Sequence, residues 1–223
     1  MKTKLFYSIV LSLLFCLGYA QTVSLDESFG NGGKVVTNLG ETNDYINSLF
    51  IDENGKIIVC GSKQSSINSE FYSIFLLRFN SDGTLDATFG SNGIVETPLT
   101  SSHVNNYKMK ITNVNKILVT GSVVTGSGIL NSYDFALMQY NSNGTIDENF
   151  GINGMATIDF IGLNDYSDAV DVLSDNSIII AGKSEGSNIS GFYSMSLVKF
   201  NQNGELDTTF GINGKKVLTT YGN

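Results

Sequence analysis

The sequence predicts an all-β fold of propeller type: four-stranded antiparallel blades, three of them complete, plus one extra strand, forming an open arc or part of an oligomer. Three observations predict it. A six-residue motif occurs four times, as Leu25-Asp26-Glu27-Ser28-Phe29-Gly30, Leu85-Asp86-Ala87-Thr88-Phe89-Gly90, Ile146-Asp147-Glu148-Asn149-Phe150-Gly151 and Leu206-Asp207-Thr208-Thr209-Phe210-Gly211, with phenylalanines spaced by 60, 61 and 60 residues. A fixed period of this size marks a repeat architecture. Each period holds short strand-like runs separated by turn residues, with no stretch of helical periodicity. Two runs in each period are apolar on both faces, as strands are when sheets cover them on both sides. Four-stranded antiparallel sheets packed face to face around an axis make a propeller.

The first twenty residues read as a leader. Lys2 and Lys4 make a basic start, residues 9–17 are apolar, and Gly18-Tyr19-Ala20 places small residues where a signal peptidase cuts. Cleavage near Ala20 leaves a repeat domain at 21–223, with repeats at about 25–84, 85–145 and 146–205 and a partial copy at 206–223. The expected location is secreted, periplasmic or cell surface. Losing two lysines and no acid takes the formal charge from -8 to -10, and Arg78 is the one arginine. Phosphate binding needs clustered Lys and Arg, so nucleic acid is excluded as a partner. No run approaches the roughly 20 apolar residues of a membrane span, so membrane insertion is not expected. Without Cys16 only Cys60 remains, which excludes an intrachain disulfide; Cys60 falls in a strand slot filled by Thr120 and Ala181 in the other copies and reads as a small buried residue.

The first strand of each unit runs 45–51, 107–111 and 167–172, with Leu49 and Ile51, Met109 and Ile111, and Val170 and Val172 on one apolar face. Asn54-Gly55 then supplies the positive φ of a tight hairpin. The second strand follows at 56–61, 116–121 and 177–182. Loops rich in Ser, Asn and Gly lead to the third strand at 72–79, 133–140 and 193–200, where Leu76, Leu137 and Leu197 coincide, as do Leu77, Met138 and Val198. Turns ending in Gly83, Gly144 and Gly204 come next, and the six-residue motif leads from them into a short polar fourth strand. Copies of this strand begin at Gly33, Gly93, Gly154 and Gly214, and Pro98, the one proline, closes the second copy, as suits an edge strand.

On these three motifs, recurring in order and in register from Leu25 to Thr219, the chain resembles the delta-60 repeat family of bacterial propeller-like repeats. The resemblance implies the fold and no particular activity. Asn115 and Asn176 depart from its pattern by standing where Gly55 stands, and Gln139 and Lys199 replace Arg78. Three complete blades, near 43–98, 104–158 and 165–219, fall short of the roughly four to eight that close a propeller. An open arc exposes apolar blade faces, so self-association is expected.

A residue present in every copy is expected to hold the blade together. Asp82, Asp86, Asp147 and Asp207 resemble fragments of oxygen-rich calcium loops, but each loop lacks the distal bidentate Glu. Their preferred reading is a turn carboxylate accepting backbone N–H groups, with calcium as the alternative cofactor. The motif phenylalanines read as plugs between blades. His103 is the one histidine, so any His-based relay must use it, and nothing selects an acid pair for glycoside chemistry. The loops at 63–71, 124–132 and 184–192 differ between copies and share one rim, which suits a protein or carbohydrate ligand or a solvated linker. The reading is an exported, non-catalytic binding or surface-interaction module. Alternatives are an extracellular polysaccharide hydrolase or lyase, and a truncated scaffold without independent function.

Overall fold

The computed structural model describes residues 23–66, 69, 72–99, 107–125, 132–160, 163–186 and 192–218. The leader, His103 and much of the three variable loops lie outside these residues. Among the described residues, twelve strands form three four-stranded antiparallel sheets, each in sequence order. The first blade holds β1 (Asp44–Ile51), β2 (Ile57–Gln64), β3 (Tyr72–Phe79) and β4 (Ile94–Thr97). The second holds β5 (Lys108–Ile111), β6 (Ile117–Thr125), β7 (Ser132–Tyr140) and β8 (Met155–Ile158). The third holds β9 (Asp165–Val172), β10 (Ile178–Glu185), β11 (Tyr193–Phe200) and β12 (Lys215–Leu218). Among the described residues no helix is long and apolar enough to cross a membrane.

Turn chemistry sets each hairpin. Gly55 sits at φ 74°, and Asn115 and Asn176, which replace it, reach φ 59° and 63°. Asn tolerates the left-handed region, so the same turn forms without glycine. In all three copies this residue donates its N–H three residues back, to the carbonyls of Asp52, Thr112 and Leu173. The second strands extend beyond the apolar run: β2 continues through Ser62, Lys63 and Gln64, paired with Ile74, Ser73 and Tyr72. Hydropathy ends the strand at Gly61, but the ladder needs only backbone groups and carries the polar residues with it.

Alternation along the strands makes both faces of the middle blade apolar. Ile117, Val119, Ala136 and Met138 pack with Ile58, Cys60, Ile74 and Leu76 of the first blade. Leu118, Phe135 and Leu137 pack the other way, against Ile178, Ile180, Val198 and Phe200 of the third. Fully burying an aliphatic side chain of this size stabilises by about 1.5–3 kcal/mol, so these two layers hold the blades in line. Cys60 is fully buried, and burial pushes its thiol up to about 12, which makes it inert. Near the inner strands the contact is polar. Ser167 Oγ donates to the Gly121 carbonyl at 2.6 Å, and the Met109 N–H donates to Ser48 Oγ at 3.2 Å.

The first motif copy, at 25–30, and the segment after it are held against the first blade. Gly30 N–H donates to the Asp82 carbonyl at 2.8 Å, and Leu39 packs on Val59, Phe75 and Leu77. Residues 33–37 pair with none of the three sheets; Lys34 makes only an isolated bridge with Gly30.

Candidate functional site

Each six-residue motif is a local turn and also a seat for the next blade. Within the turn, Phe89, Phe150 and Phe210 donate their N–H to the carbonyls of Asp86, Asp147 and Asp207 at 2.9–3.0 Å. Across the blades, Gly90 N–H donates to the Asn143 carbonyl and Gly151 N–H to the Asn203 carbonyl, each at 2.8 Å. The motif ring lies on the glycine that ends the facing turn. A Cβ on Gly144 would come 3.0 Å from Phe89 ring carbons, and one on Gly204 would come 2.9 Å from those of Phe150. Both rings are buried.

At the C-terminal end of the arc this arrangement is incomplete. Phe210 is only half-buried, and Gly211 N–H has no backbone acceptor among the described residues. On the same face Met195 is 56% exposed, whereas its counterparts Ile74 and Phe135 are 0% and 1% exposed. A depression of about 780 Å³ beside Phe160, Phe210 and Lys216 marks the outer part of this end. On the opposite end, Leu49 and Ile51 are exposed, while Met109 with Ile111 and Val170 with Val172, at the same positions, are packed between blades. The Gly83 seat of the first blade is taken by the chain's own Phe29. A Cβ there would fall 2.7 Å from Val35 Cγ2 and 3.1 Å from the Phe29 ring.

The motif aspartates lie in separate turns. Asp86, Asp147 and Asp207 each accept the N–H two residues on, from Thr88, Asn149 and Thr209 at 3.1–3.3 Å. Each also binds an ammonium: Lys56 at 2.5 Å, Lys116 at 2.9 Å and Lys199 at 2.9 Å. Asp86 additionally accepts Arg78 Nε at 2.7 Å. The Lys56 bond, with Thr88 and Arg78, holds the Asp86 carboxyl well below the usual carboxylate range against the opposing effect of burial. Asp82 accepts the N–H and hydroxyl of Thr84 at 2.9 and 2.7 Å.

Three other acids do converge. Asp134 on β7, Asp159 just past β8 and Asp165 at the start of β9 place carboxylate oxygens within 4.8 Å of one another, where the second blade meets the third. Asp134 and Asp165 are buried and Asp159 is exposed. Asp165 Oδ2 accepts the Phe160 N–H at 2.8 Å, while its buried Oδ1 has no hydrogen-bond donor among the described residues. Burial, with the Asp134 and Asp159 charges adding to it, pushes Asp165 up to about 7. Burial likewise raises Asp134, which accepts from Thr125 Oγ1. Lys215 borders the group, its Nζ donating to the Asp159 carbonyl at 2.5 Å and lying 5.7 Å from the Phe160 ring centroid.

Reading the repeat for what recurs passes over this cluster, because its members stand where the copies differ. Asp134 has Ser73 and Ser194 as counterparts, and Asp159 has Asn38 and Pro98. A search for acids that break the repeat would single out both.

Residues 53–89, 115–150 and 173–210 each match the model of a family described as "Domain of unknown function (DUF5122) beta-propeller". No curated protein matches the chain. Each of the three matches runs from a hairpin turn through the second and third strands to the motif phenylalanine. With the matches in register on three four-stranded sheets, the chain is a protein of a β-propeller-like repeat family.

Proposed function

We propose that the chain is an exported, non-catalytic interaction module that associates with a second copy of itself through the open faces of its arc. The uncovered Phe210 seat carries this reading, because the chain itself displays what covers such a seat: a blade presenting a glycine turn, met by Phe89 at Gly144 and by Phe150 at Gly204. The exposed Leu49 and Ile51 are the other half of the same contact. Two copies of a three-blade arc supply six blades, within the roughly four to eight that close a propeller. The Phe29 motif occupies the seat that a partner's Phe210 would take, so association proceeds by exchange of one motif for the other.

Export rests on the basic, apolar and small-residue pattern of the first twenty residues. The motif pattern and its period support placing the repeats with the delta-60 type. Binding is favoured over hydrolysis or elimination of polysaccharide because the converging acids Asp134 and Asp165 are buried from a polymeric substrate.

Light scattering of the chain from Gln21 onward at tens of micromolar tests the reading. The expected mass is twice that of one copy, falling to one copy in Phe210→Ala with an unchanged circular dichroism spectrum. Phe29→Ala, which vacates the Gly83 seat, should shift the equilibrium further toward the pair. A single-copy mass for both the parent chain and Phe29→Ala would sink the proposal.

A further inference from the structure

We propose that Asp134, Asp159 and Asp165 bind a hard divalent cation of the calcium class, tying the second blade to the third. The site is built from one member of a repeated frame and two acids added to it. The frame member is Asp165. Its counterpart Asp44 also accepts a backbone N–H five residues back, from Leu39 at 3.3 Å, and also has a buried Oδ1 without a donor. At that junction Asn38 stands where Asp159 stands here. Among the described residues, it is at the junction of the second and third blades that carboxylates from β7 and from the end of β8 come within 4.8 Å of the frame aspartate.

Like-charged carboxylates brought this close, two of them buried, are costly unless a cation joins them or one of them takes up a proton. The orphaned Asp165 Oδ1 is a fully buried acceptor within this group. Asp44 carries the same orphaned acceptor without neighbouring acids in a described cluster, whereas at Asp165 two further carboxylates stand ready to share a cation that would satisfy it. All the donor atoms are carboxylate oxygens, with no imidazole or thiolate, which selects calcium, magnesium or manganese over zinc or copper. Calcium suits an irregular set of ligands drawn from three strands better than magnesium, which demands near-octahedral geometry. Asp159, exposed, gives the ion its way in, with water completing the shell on that side. Lys215 is the competing cation: its ammonium donates to the Asp159 carbonyl and lies over the Phe160 ring, and its charge opposes the rise of Asp134 and Asp165 without cancelling it.

Tyr133 and Tyr166 adjoin two of the ligands in sequence and stand 5.3 Å apart between ring centroids, so terbium(III) luminescence sensitised by tyrosine reads the site directly. In metal-free full chain, terbium should give a saturable signal displaced by calcium, and calcium alone should raise the melting temperature. Asp159→Asn changes an exposed residue and keeps the fold, and it should weaken terbium and calcium binding by about tenfold or more through loss of one charged ligand. Asp165→Asn should abolish the signal where it folds. Asp82→Asn and Asp147→Asn, in the separate turns, should leave the signal unchanged. If Lys215 alone neutralises the cluster, neither the displaceable signal nor the melting shift is seen, and the proposal fails. It fails equally if the signal survives Asp159→Asn and is lost in Asp147→Asn.

Discussion

Arg78 of the first blade donates an Nη1–H to the Ser142 carbonyl of the second at 2.7 Å. The same guanidinium holds Asp86 in its own blade through Nε at 2.7 Å and lies 4.6 Å from the centroid of the Phe89 ring. One planar cation therefore fixes the motif turn, its plug and the facing turn together, a geometry the point charge of lysine does not reproduce. Arg78→Ala should cost about 2 kcal/mol, the range for hydrogen bonds to a charged group that leave a buried partner behind. Arg78→Lys should recover less than half of that. Urea unfolding of the three chains measures it, and full rescue by lysine would show that only the charge matters.

Acid should loosen the blades through the motif aspartates. Asp86 has a folded pKa lowered below its ordinary 3.8, first by the Lys56 bond, and Asp147 is lowered in the same way by Lys116. A lowered carboxylate contributes stability that is present in full above the unfolded value and is lost as pH falls through the folded one. The stability gap between the parent chain and Asp86→Asn should therefore be constant from about pH 7 to about pH 5 and shrink by about pH 3. Urea midpoints across this series check it. A gap that persists unchanged at about pH 3 contradicts the assignment of that stability to the ionised carboxylate.

The blade frame is legible in the sequence because its causes are local. Period-two alternation marks Leu76 against Leu77, and a residue that accepts positive φ ends each hairpin. The seat of each plug is not local: Phe89 meets Gly144 across 55 residues, so the sequence shows the ring and the glycine but not that they touch. The acidic junction is further from view. Asp134, Asp159 and Asp165 lie around three separate strands, and their approach depends on how one blade turns against the next. The first motif copy illustrates the same limit, since its pattern predicts a strand at 33–37 while among the described residues no third strand pairs with it.

Glycine substitutions separate the turns that hold blades from those that do not. Gly144 has φ 91°, and a Cβ there would lie 2.6 Å from Val95 Cγ2 as well as against Phe89. Strain and collision act together, so Gly144→Ala should cost about 2–3 kcal/mol. Gly32 has φ 58° with no atom within 4 Å of such a Cβ, and Gly32→Ala should cost about 1 kcal/mol, the backbone strain alone. Gly83→Ala should act on a segment rather than on the whole chain. Its Cβ meets Val35 and Phe29, so hydrogen exchange at residues 25–37 should rise well above that of β2 and β3. Equal costs at Gly144 and Gly32 would mean that the facing blade yields without resistance.

The same ring in two settings gives the sharpest contrast. Phe150 is 1% exposed among Phe135, Leu137, Ile178 and Phe200, so Phe150→Ala removes a filled core position and should cost about 3–5 kcal/mol. Phe210, on the open face, is half-buried and leaves no cavity between blades when truncated, so Phe210→Ala should cost less than about a third as much in a single copy. The difference depends on concentration if the open face pairs with a second copy: Phe210 then becomes as buried as Phe150, and the parent chain gains stability with concentration while Phe210→Ala does not. Urea midpoints at about 1 and about 100 micromolar measure both terms. A parent midpoint independent of concentration, with Phe210→Ala as costly as Phe150→Ala, would place Phe210 within the core of one copy and remove the open face from the account of this protein.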